Sequence, residues 1–111
     1  MADIRVLVVS EPRAYREVMA AALRSVRPSA IVDLGDPDTL ESDVLRLHPH
    51  LVVCSRLLRS VDWTYDWILV YPHGGEGGLM SVGGELVPLN TVDFPLLLSV
   101  VDKVQAGPQA A

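Results

Sequence analysis

Short apolar runs recur along this chain at a spacing that leaves room for one helix between neighbours, and this alternation restricts the fold more than any other feature. Residues 4–9 are apolar apart from Arg5 and rich in β-branched side chains, which suits a strand buried on both faces. Residues 30–34, 51–54 and 67–71 repeat the pattern. Between the first two runs, Pro12 fits the first position of a helix. Tyr15, Val18, Met19, Ala22, Leu23 and Val26 then make a stripe of helical period. Arg24 and Arg27 sit at the negative end of that helix, and Pro28 closes it. Asp36 or Asp38 can cap a second helix with Leu40, Val44 and Leu47 on its buried side, ended by His48-Pro49.

Strands alternating with helices in this way imply βαβ units, and right-handed crossovers make the sheet parallel. After Tyr71 the pattern changes. The stretch PHGGEGG is irregular, and LMSV-GG-ELVPL reads as two short strands joined by a Gly-Gly turn. Thr91 or Asp93 can cap a last helix carrying Leu97, Val100, Val101 and Val104. The expected fold is therefore α/β: a three-layer, doubly wound, mainly parallel five-stranded sheet of order 2-1-3-4-5, with a β-hairpin replacing the fourth helix. Residues 1–105 form the expected single domain and 106–111 a disordered tail.

Composition narrows the function. At 111 residues the chain fits one domain, and with half its residues hydrophobic but only 5% aromatic its core is built from Val, Leu, Ile and Ala. A net charge of -5 opposes nucleic-acid backbones, and no basic cluster offsets it. No apolar run approaches the ~20 residues that cross a bilayer. Cys54 is the single cysteine, and the start MADIRVLVVSEP lacks the features of a secretion signal. The expectation is a cytoplasmic protein without nucleic-acid or membrane partners.

IRVLVVSEP followed by an amphipathic helix, and LHPHLVVCS at the third strand, resemble the start and middle of a receiver domain of the bacterial response-regulator family, a flavodoxin-like fold. A working receiver gathers two acidic residues after strand one and an Asp at the end of strand three. Those carboxylates hold Mg²⁺, and the Asp attacks the phosphoryl donor. Carried onto this chain, the acidic pair becomes Ser10-Glu11 and the acceptor position becomes Ser55, preceded by Cys54. Where the family has Ser or Thr after strand four and Lys-Pro after strand five, this chain has Tyr71-Pro72 and Val87-Pro88; its one lysine, Lys103, lies in the last helix. The resemblance thus implies an atypical pseudo-receiver with a degenerate phospho-acceptor pocket at Ser10, Glu11, Cys54, Ser55, Tyr71 and Val87.

A non-enzymatic module with no cofactor and no metal is expected, acting in signal transduction by binding another protein or itself as a homodimer. The candidate interaction surface is Trp63, Tyr65, Met80, Val82, Leu86 and Phe94, because aromatic residues beside a connection and an apolar hairpin edge are common partner anchors. The alternative is a small-molecule or nucleotide sensor using the carboxyl ends of the strands around Ser10, Glu11, Cys54 and Ser55. Cys54 as a nucleophile lacks an anion-binding Gly loop and a CxxC partner, which favours a buried thiol. His48, His50 and His73 have no chelating spacing. The glycines of residues 74–78 precede no helix and no Lys-Ser or Lys-Thr, so they do not form a phosphate loop.

Overall fold

The computed structural model describes residues 4–56, 65–70 and 77–106. Its elements are β1 (Arg5–Val8), α1 (Arg13–Val26), β2 (Ile31–Leu34), a 3-10 turn (Pro37–Thr39) running into α2 (Leu40–Leu47), β3 (Leu51–Cys54), β4 (Asp66–Val70), β5 (Gly78–Val82), β6 (Glu85–Leu89) and α3 (Phe94–Ala106). The strands form one six-stranded sheet of order β2-β1-β3-β4-β5-β6. Pairing is parallel from β2 through β4 and antiparallel at β4–β5 and β5–β6.

This corrects the expected architecture. The sheet is mixed, with six strands and three helices, and is not a five-stranded, mainly parallel, doubly wound one. The hairpin forms at the expected residues, but it supplies the fifth and sixth strands itself. The reason is length. A parallel connection needs about a dozen residues to cross the sheet, whereas only residues 71–77 separate β4 from β5. The chain therefore turns back, and Trp67 pairs with Ser81 and Val70 with Gly78.

Gly83 and Gly84, with φ of 62° and 81°, form the turn. Both central residues of a two-residue hairpin turn of this kind need positive φ, which glycine adopts at little cost. Gly78 has a different reason. A Cβ there would strike the carbonyl oxygen of Leu69 on the neighbouring strand.

Side chains alternate across the central strands into two cores. Val6, Val8, Leu51, Val53, Ile68 and Val70 face α1 and α3, joined by Leu23, Leu97, Val100, Val101 and Val104. Leu7, Val9, Val52, Cys54 and Trp67 face α2, joined by Leu40 and Val44. Asp93 accepts from the Leu96 N–H and so caps α3. Asp36 accepts from the Asp38 N–H at the start of the turn before α2.

The buried stripe of α1 differs from the one its apolar residues suggest. Arg16, Met19, Ala20 and Leu23 are buried, at i, i+3, i+4 and i+7. Tyr15, Val18 and Val26 are 40%, 67% and 43% exposed. The helix carries more apolar side chains than one contact face can cover, and packing chooses the phase. Arg24 donates Nε and Nη2 to the Val32 carbonyl instead of serving the helix end. Among the described residues, no helix is long and apolar enough to cross a membrane.

Candidate functional site

The chain leaves β1 for β2 on one side and reaches β3 on the other, so the carboxyl ends of β1 and β3 form the topological switch where open α/β sheets place ligands. There the Glu11 N–H donates to Ser55 Oγ at 3.1 Å, tying the two strand ends together. Arg56 reaches across the same rim. Its guanidinium lies 2.9 Å from Asp38 Oδ1 and 3.9 Å from Glu11 Oε1. Arg16, buried in α1, places Nη2 3.4 Å from Asp36 Oδ2 and donates Nη1 to the Ser10 carbonyl at 3.5 Å. Ser10 is fully buried, and its Oγ has no hydrogen-bond partner among the described residues.

The three rim carboxylates are thus each shared with a guanidinium. Arg56 stands against Glu11 and Asp38. The donor set does not fit Mg²⁺. Hard cations take oxygen ligands converging on one point, and no group of three such side chains converges among the described residues.

Nucleophiles fare no better. Ser55 Oγ already accepts from Glu11. Cys54 is 1% exposed, lies in the core beneath α2, and its Sγ approaches the Ile68 carbonyl at 3.7 Å. Burial raises its thiol from an ordinary value of 9.0 to about 12, so the reactive thiolate is scarce at neutral pH. What this arrangement does chemically is hold charge.

Beside the rim, a shallow cleft of about 340 Å³ opens between the first turns of α1 and the end of β2, lined by Arg13, Arg16, Glu17, Leu34, Gly35 and Asp36. A second groove, about 220 Å³ and largely apolar, runs between α1 and the start of α3, lined by Val18, Ala22, Val92 and Phe94 among others.

The structure brings together only part of the expected pocket. Ser10, Glu11 and Ser55 meet at the switch. Cys54 lies behind them in the core. Val87 is in the middle of β6, paired with Met80, and belongs to the far edge of the sheet. Aligning Val87-Pro88 with a motif after a fifth parallel strand misplaced it, because that strand runs in the hairpin. Tyr71 and Trp63 lie outside the described residues.

The described residues of the expected interaction surface do not form one patch. Val82 is buried, and Met80 and Phe94 are half-buried against the α1/α3 core. Tyr65 packs against the α2 core. Leu86, 61% exposed, pairs with Ser81 and so points to the sheet face opposite Met80 and Val82.

Sequence reasoning missed Arg16 and Arg56 as members of the rim, and took Asp36 and Asp38 only as caps. Arg16 had a signal: it shares the helical phase of Met19, Ala20 and Leu23, so a charge was headed inward. His50 also has a role that the ligand question passed over. Its N–H donates to the Arg5 carbonyl and its Nδ1 accepts from the Arg5 N–H, fastening β3 to β1.

No protein-family model matches this chain, and neither a curated protein nor a solved structure matches it.

Proposed function

We propose that this chain is a cytoplasmic regulatory module, with a first half whose sequence resembles that of response-regulator receivers, that works by contact with another protein or with a second copy of itself and takes no phosphoryl group. The observation that carries this reading is Arg56, set between Glu11 and Asp38 beside a serine in the acceptor position. Arg56 supplies a fixed positive charge beside those carboxylates, whereas a signalling receiver needs them open to a metal and a phosphoryl donor. The net charge of -5 further disfavours nucleic acid as the partner. Incubation with acetyl phosphate and Mg²⁺ followed by intact-mass measurement tests the reading. An unchanged mass is expected, and a stable gain of one phosphoryl group on the native protein overturns it.

A second reading, a small-molecule or nucleotide sensor, is favoured by the cleft that Arg13 and Arg16 line beside Asp36. A thermal-shift screen of nucleotides separates the two. A ligand at a hundred times its dissociation constant stabilises by about 2.7 kcal/mol, a shift of several degrees for a domain of this size.

A further inference from the structure

Three of the seven large hydrophobic side chains exposed among the described residues sit on one helix, α1, as Tyr15, Val18 and Val26. Ala14, Ala21 and Ser25 complete its outward side, and they too are exposed. No charged residue of α1 interrupts this surface. Arg13, Glu17 and Arg24 gather on the opposite flank, towards β2, where Glu17 pairs with Arg13 at 2.8 Å and Arg24 is held by the Val32 carbonyl, so a contact between Glu17 and a second copy is shared with Arg13. The apolar groove against Val92 and Phe94 extends the same surface sideways. The β6 edge is a poorer partner face. Pairs in an antiparallel hairpin alternate, so with Val82 and Glu85 closing the turn, Leu86 and Pro88 present their backbone outward, and Pro88 has no N–H to offer.

We propose that two copies of this chain associate through α1, packed antiparallel about a two-fold axis that passes between Ala20 and Ala21. This deepens the binding reading above by naming the partner, and it rests on that reading. The charge pattern selects the partner and the direction. Tyr15 and Val26 are centred on the same point as Glu17 and Arg24, so one axis sets Tyr15 against Val26 of the partner subunit and Glu17 against Arg24 of the partner subunit. In an antiparallel pair the same flanks meet, which makes both charge contacts attractive. A parallel pair would set the Glu17 and Arg24 flank against the Tyr15 and Val26 flank of the partner subunit, with no opposite charge across the seam. Ala21, exposed at the centre, lets the helices approach closely, and Val18 is buried in the seam.

Sedimentation equilibrium on the full chain tests this. Wild type is expected to dimerise, and a monomer at concentrations up to about 1 mM overturns the proposal. Val18→Glu buries a charge at the seam twice and should abolish the dimer; a dimer that survives it places the interface elsewhere. Glu17→Arg and Arg24→Glu should each raise the dissociation constant about tenfold, through two like-charge contacts. Mixing these two variants should restore association as a heterodimer with both contacts attractive, and failure of the mixture to recover refutes the antiparallel register. Circular-dichroism melting of each variant shows that it is folded. The acetyl phosphate trial is independent of these outcomes. A monomer that takes no phosphoryl group removes the α1 interface and leaves the binding reading, while a dimer that takes one does the reverse.

Discussion

In β1 and β3, Val6 to Val8 and Leu51 to Cys54 are each at most 1% exposed, whereas in β5 and β6 Val82 alone is buried. The two halves of one sheet are held by different means. The parallel half lies between helices, with α1 and α3 on one face and α2 on the other, and its strands depend on long-range burial. The hairpin half has α3 against one face and keeps Leu86 in solvent on the other, so its strands depend on a local turn. Regions with fewer buried apolar contacts open at lower free energy. The hairpin is the part of the sheet expected to open first.

The sharpest way to break this contrast is to delete equal side chains in each half. Leu7→Ala should cost about 2–5 kcal/mol in urea unfolding, because the site is fully buried between β-strands and α2. Leu86→Ala should stay within about 0.5 kcal/mol. Similar costs at both sites would erase the distinction.

The pH dependence of the buried thiol comes next. The folded protein holds Cys54 neutral up to about 12, while the unfolded chain ionises near 9.0. Its contribution is therefore fully present below pH 9 and is lost as pH rises from there towards 12, with a slope of up to about 1.4 kcal/mol per pH unit. Cys54→Ala should flatten this alkaline decline. Iodoacetamide at neutral pH should modify the native thiol only at the rate at which the parallel half opens, and rapid alkylation of folded protein would contradict its burial.

The turn offers a smaller effect confined to the other half. Gly84→Ala meets no atom within 4 Å, so its cost is conformational alone, from a φ of 81°. It should be about 1–2 kcal/mol. Hydrogen exchange should show β6 amides deprotected while those of β1 and β3 change only with global stability.

The smallest change tests the tie between the helices. Arg27 makes a two-pronged pair with Asp102, Nε to Oδ1 at 2.7 Å and Nη2 to Oδ2 at 2.8 Å. The hydrogen bond to Arg27 holds the Asp102 carboxyl below its ordinary value. That contribution is present above the unfolded value and is lost as pH falls through the folded one. Asp102→Asn should lower the urea midpoint only slightly, and by less at high salt, because the pair is exposed to solvent.

Much of the fold was legible from short-range signals. Apolar runs marked β1 to β4, helical spacing marked the buried sides of α2 and α3, and Gly83-Gly84 marked the hairpin. Each depends on residues within a turn or two of one another, and local backbone chemistry decides them. The direction of β5 was also within reach, since residues 71–77 are too few to recross the sheet, but a repeat of βα units was assumed to continue. The candidate site was legible only at Ser10, Glu11 and Ser55. Tertiary structure alone decided that Arg56 bridges Glu11 and Asp38, that Val87 lies at the far edge of the sheet, and that α1 turns Arg16 inward and Val18 outward. The physical reason is the same in each case. These outcomes depend on which surfaces of distant segments meet, and a helix with apolar side chains on more than one side takes its phase from the sheet that covers it.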